Sequence, residues 1–106
     1  MSWVVLVLAG LFEIGWPVGF KMGWSEQGIR PGPLIMAVLC MAISGALLFL
    51  AQRQIPIGTA YAVWTGMGAI GTFVAGVWLF AEPANAARIA CVGLVAAGIV
   101  GLKLFG

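Results

Sequence analysis

The sequence predicts an all-α membrane protein with four transmembrane helices, and three observations carry that expectation. Of the 106 residues, 63% are hydrophobic and only 8% are charged, whereas an ordinary soluble domain is about 45–50% apolar and about 25% charged. Charged and turn residues divide the chain into four apolar runs, each near the ~20 residues that cross the hydrocarbon core of a bilayer. Only short connections remain, so residues 1–106 read as a single transmembrane domain with no room for a soluble one. The mean hydropathy of +1.15 excludes a soluble globular or disordered chain. A net charge of +2 is too small for a nucleic-acid surface.

The first span is expected over 2–21, interrupted only by Glu13. It lacks the basic start and small-residue cleavage site of a secretory leader, so no detachable segment is expected. Residues 22–33 (MGWSEQGIRPGP) hold three glycines and two prolines and read as the longest loop. The second span, 33–52, carries no charge until the turn at Arg53 and Pro56, proline being tolerated in a helix's first turn but not its interior. The third span, 57–81, is likewise uncharged, and Glu82 and Pro83 turn the chain. The fourth, 85–105, opens on Asn85, a residue type favoured at helix N-caps.

Four spans place the N-terminus, the loop around 53 and the C-terminus on one side of the membrane. That side carries Arg53 and Lys103, with the terminal amine; the other carries Lys21, Arg30 and Arg88. Orientation follows the excess of Lys and Arg on the cytoplasmic side. A count of two against three predicts insertion both ways, unless the amine or a single loop charge tips the balance.

Glu13 is the exceptional residue. A carboxylate at mid-membrane costs on the order of 3 kcal/mol, so such residues pair, line a cavity or hold a proton. Low dielectric favours the neutral acid, which makes Glu13 a candidate to exchange a proton for another cation. The plainer alternative is a protonated side chain hydrogen-bonded within the helices. Glu26 and Glu82 lie in connections and read as solvated.

Helical spacing places Ala9, Gly10, Trp16 and Pro17 on the face of Glu13. Gly10 leaves space beside the acid, and Trp16 offers an aromatic face and an N–H donor. Pro17 deprives the Glu13 carbonyl of its helical partner, which marks either a functional kink or an ordinary one. In the third span Tyr61 and Trp64 lie three apart on one face. There they either hold a cation by its attraction to aromatic rings or mark the membrane interface. Ser44, the only hydroxyl of the second span, bonds either Glu13 or a backbone carbonyl.

Residues 66–71 (GMGAIG) match a dinucleotide-binding pattern. That chemistry requires a strand–turn–helix and a following acid, so Gly66, Gly68 and Gly71 read instead as a flexible or close-packed patch. In the fourth span Gly93, Ala97 and Gly101 recur every four residues, a spacing that lets helix backbones approach closely and suggests dimerisation. Cys40 and Cys91 sit in apolar spans and there is no histidine, so neither a metal site nor any other cofactor is expected. No nucleophile–base pair points to an enzyme, and the spans lack a channel's continuous polar lining. A purely structural subunit would not need Glu13.

Three strings, AGLFEIGW (9–16), PIGTAYAVWTG (56–66) and GIVGLKL (98–104), resemble the small multidrug resistance family over nearly the whole chain. They are most similar to its guanidinium-exporter branch. Pro17 and the 22–33 loop depart from that branch's usual pattern. The resemblance implies an antiparallel, dual-topology homodimer in the bacterial inner membrane that exchanges small organic cations for protons; a heterodimer with a paralogue is the variant of that scheme. It assigns Glu13 as the shared proton and substrate carboxylate, with Trp16, Ser44, Tyr61 and Trp64 lining the pocket. A broader exporter of quaternary ammonium and other hydrophobic cations is the alternative reading.

Overall fold

In lipid, backbone polar groups must find partners within the chain, which leaves helices as the economical way for runs this apolar to cross. The computed structural model describes residues 2–105, in four helices: α1 (Ser2–Gly23), α2 (Pro31–Ala51), α3 (Ile57–Phe80) and α4 (Ala86–Phe105). All four are long and apolar enough to span a membrane. Met1, whose amine entered the charge count, and Gly106 lie outside the described residues.

The first loop is shorter and more ordered than the sequence suggests. α1 continues to Gly23, and α2 begins at Pro31, two residues before the expected start. Pro31 opens the helix because its missing N–H would be unpaired there in any case. Between them lies a small antiparallel hairpin of β1 (Trp24–Ser25) and β2 (Gly28–Ile29), with Trp24 opposite Ile29 and Ser25 opposite Gly28. The Ser25 hydroxyl donates to the Gly28 carbonyl at 2.6 Å, and Gly28 has the positive φ of 135° that the turn requires. At the other end of the chain Asn85 caps α4, its Oδ1 accepting the Arg88 amide at 2.9 Å.

The helices form an open row, not a closed bundle. α1 packs most extensively on α2, next on α3, and α4 leans mainly on α3. The protomer is accordingly flat, 48 × 34 × 17 Å. Close approach of α1 and α2 is made by glycines. Gly15, Gly19 and Gly23 recur every four residues on the face of α1 that meets α2. A Cβ on Gly19 would lie 2.7 Å from the Pro33 carbonyl oxygen and 2.8 Å from the Ala37 Cβ, and one on Gly23 would lie 2.6 Å from the Leu34 side chain. The apolar core is small. Leu6, Ala51, Ile55, Ala60 and Val63 cluster at the end where α1 and α3 begin. α4 buries none of its residues within the protomer.

Candidate functional site

The face of α1 opposite its glycine stripe carries Gly10, Glu13, Ile14 and Pro17 towards α3. Each meets, or lies level with, a small residue or a flexible side chain of α3. A Cβ on Gly68 would stand 2.5 Å from Glu13 Cγ, so glycine there lets the acid lie against the α3 backbone. Gly71 receives the Ile14 side chain in the same way. Gly66 faces outward to α4, where a Cβ would meet Ile99 Cδ1 at 2.9 Å. These three glycines are contact points in an uninterrupted helix. α1 likewise runs on as helix through Pro17.

Glu13 is half-buried. The Trp16 indole N–H donates to Glu13 Oε1 at 2.6 Å. This is the i, i+3 pairing that helical spacing suggests, and its short length suits a charge-assisted bond. Trp16 is itself held edge-on by Phe20, with ring centroids 5.6 Å apart.

A second group lies beside the first. Ser44 is fully buried, and its hydroxyl donates to the Ala9 carbonyl at 2.7 Å, one turn before Glu13. The same oxygen accepts the Trp64 indole N–H at 2.7 Å. Of the two partners open to Ser44, the backbone carbonyl is therefore the one used. The chain Trp64–Ser44–Ala9 ties α3, α2 and α1 together, and no hydrogen bond among the described residues joins it to Glu13. Tyr61 stacks obliquely on Trp64 with centroids 5.4 Å apart and is 55% exposed. Its ring thus sits on an open face of the protomer.

Gly10 offers less room than its position suggests. A Cβ there would lie 2.8 Å from Met67 Cβ, so Met67 of α3 occupies the space beside it. Gly93 and Gly101 have nothing of the protomer near them, and Ala97 between them is exposed. The two cysteines are free, and no cluster of metal-ligating residues occurs among the described residues.

Two groups escaped the sequence reading. Glu82 lies in the connection after α3, as expected, but folds back so that its carboxylate packs directly on Gly76 of α3. Ala81 makes this possible by adopting left-handed backbone, φ 55°, at the end of α3. Thr72 Oγ1 is buried without a hydrogen-bond partner. Its depth in a polar-poor helix was visible in sequence, but its isolation was not.

Four spanning helices, a lone acid at mid-depth held by an indole, and an open aromatic face define a membrane transporter of few parts. The Small Multidrug Resistance protein family profile matches residues 1–106. Among similar proteins are guanidinium exporters of Citrobacter freundii and Salmonella typhi, each 47% identical over 104 residues, covering 98% of this chain and 97% of theirs. The guanidinium exporter of Yersinia pseudotuberculosis is 49% identical over 104 residues, covering 98% of each chain. The chain belongs to the small multidrug resistance family. It is a multi-pass exporter of the bacterial inner membrane.

Proposed function

We propose that the chain is a proton-coupled antiporter that exports guanidinium-type cations, with Glu13 binding proton and substrate by turns. The observation that carries this reading is the Glu13–Trp16 pair. A carboxylate held by one indole N–H retains lone pairs for a further donor. Guanidinium is planar and presents parallel N–H bonds, the geometry that binds a carboxylate most strongly. The tilted Tyr61 and Trp64 rings add a surface attractive to cations. The name carried by the relatives at 47–49% identity supports the same substrate.

A protonated Glu13 has no charge with which to hold a cation, so proton and substrate compete for one site. That competition produces antiport provided the loaded and protonated forms change their facing and the empty, charged form does not. Two antiparallel copies supply two Glu13 residues to one cavity and relate its two facings by symmetry. The α4 stripe of Gly93, Ala97 and Gly101, whose glycines meet nothing else in the chain, and the open row of helices support a second copy as the missing wall.

The test is electrogenic transport by the purified protein in liposomes, with guanidinium and tetrapropylammonium compared and Glu13→Gln as the blank. Current with guanidinium alone, absent in Glu13→Gln, is the expected result. Equal current with the bulky ion would move the reading to the broader exporter. Current retained in Glu13→Gln would overturn the shared-carboxylate mechanism.

A further inference from the structure

Guanidinium is made of donors, and the side chains around Glu13 are short of acceptors. The cation carries only N–H bonds, and the carboxylate takes one edge of it. The indoles of Trp16 and Trp64 are donors only, and both are already engaged, on Glu13 Oε1 and on the Ser44 hydroxyl. Ser44 is fully buried and donates to the Ala9 carbonyl. The outer N–H bonds of a bound guanidinium therefore find no acceptor among Trp16, Ser44 and Trp64.

α3 presents two hydroxyls on its open face. Tyr61, Ala62, Thr65 and Ala69 are all exposed in the protomer, and their spacing puts them on one stripe of the helix. The alanines before and after Thr65 on that stripe leave it uncovered. Thr65 also stands three residues before Gly68, on which Glu13 rests. The Glu13 carboxyl carbon is 3.7 Å from where a Gly68 Cβ would be, and residues three apart on a helix hold their Cβ atoms about 5–6 Å apart. Thr65 Cβ is thus within about 9 Å of the carboxyl carbon. A planar cation bridging two acceptors through N–H···O bonds of about 2.9 Å holds them on the order of 7 Å apart, which fits that spacing. None of the hydrogen bonds that organise the site uses Thr65. The ordinary habit of a threonine in a membrane helix is to donate to the carbonyl four residues back. That bond would use only the proton and leave the oxygen's lone pairs as acceptors.

We propose that Thr65 is a specificity-determining residue of the Glu13 site, its hydroxyl accepting N–H bonds from the edge of a guanidinium-type cation that the carboxylate leaves free. A tetraalkylammonium ion has no N–H to give. Seated against the same hydroxyl, it strips water from a polar group and returns no hydrogen bond. Thr65 therefore selects in two ways, by attracting donor cations and by penalising the others. The inference deepens the guanidinium-exporter reading and rests on it.

The test compares guanidinium uptake by the native chain, Thr65→Val and Thr65→Ser in liposomes. Valine keeps the shape and removes the hydroxyl, and Thr65→Ala serves as a second variant without it. Thr65→Val is expected to raise the concentration for half-maximal uptake about tenfold or more, the worth of one hydrogen bond to a charged group, with the maximal rate kept. Thr65→Ser should restore the native value. Inhibition by tetrapropylammonium should be no weaker in Thr65→Val than in the native chain. Unchanged half-saturation in both hydroxyl-free variants overturns the assignment, as does failure of serine to restore it. A fall in maximal rate alone, or equal weakening towards both cations, would mark a packing role and overturn it too. A native chain that carries no guanidinium would refute the exporter reading and this inference together, whereas native uptake with an indifferent Thr65→Val refutes only the role of Thr65.

Discussion

Gly68 governs how near α3 comes to the carboxylate. Since a Cβ there would lie 2.5 Å from Glu13 Cγ, Gly68→Ala must displace the acid from Trp16. Misplacing a reacting group by about 1 Å costs up to about a hundredfold in rate. Transport by Gly68→Ala is therefore expected to fall between about tenfold and a hundredfold, with membrane yield unchanged, as liposome flux and quantified protein would show. Ser44→Ala should behave in the opposite manner. It leaves the Trp64 indole N–H without its partner, a loss of about 1–3 kcal/mol visible as a lower melting temperature, while coupling survives. At this scale Glu13 was legible because one charge interrupts an apolar run, and Trp16 because i, i+3 residues share a helix face. The Ser44–Trp64 bond was not, since it joins residues twenty apart on different helices and helical spacing says nothing across helices. Glu82 was legible as a connection residue, but the αL turn at Ala81 that lays its carboxylate against Gly76 was not, since it depends on one backbone angle.

Two stripes of small residues with the same spacing have different fates. Gly15, Gly19 and Gly23 are consumed within the protomer against α2, while Gly93, Ala97 and Gly101 on α4 meet nothing in it. Gly19→Leu should therefore damage the protomer itself, since overpacking costs about 1–3 kcal/mol or more; reduced yield and an early melting transition are the expected signs. Under the proposed dimer, Gly101→Leu should leave each copy folded and weaken its association, seen as a shift from dimer to monomer in cross-linking. An equal loss of protomer stability in both variants would contradict this division. The four spans were legible from hydropathy. The hairpin at Trp24–Ile29 was not, because two-residue strands carry no periodic signal and the glycines and prolines around them announce only a turn.

For the whole molecule, the open row of 48 × 34 × 17 Å leaves both broad faces apolar and most large side chains outward. Sequence patterning cannot distinguish such a layer from a bundle, because lipid and protein neighbours are equally apolar and select the same residues. The distribution of charge bears on orientation. Arg30→Gln with Gln52→Arg reverses the loop count from two against three to three against two. Under the dual-topology proposal this swap should shift the population towards the form with the Arg53 loop in the cytoplasm, measured with reporter fusions at the C-terminus. A chain locked in one orientation would not respond to so small a change.

The Trp16–Glu13 hydrogen bond also makes the molecule its own optical gauge. Of its five tryptophans, Trp16 donates to the acid and Trp64 to the uncharged Ser44. Under the proposed mechanism, whatever neutralises Glu13, proton or cation, alters the field at the first indole. Emission from a chain whose other four tryptophans are replaced by phenylalanine would then report occupancy of the carboxylate directly, without a label and without a transport assay.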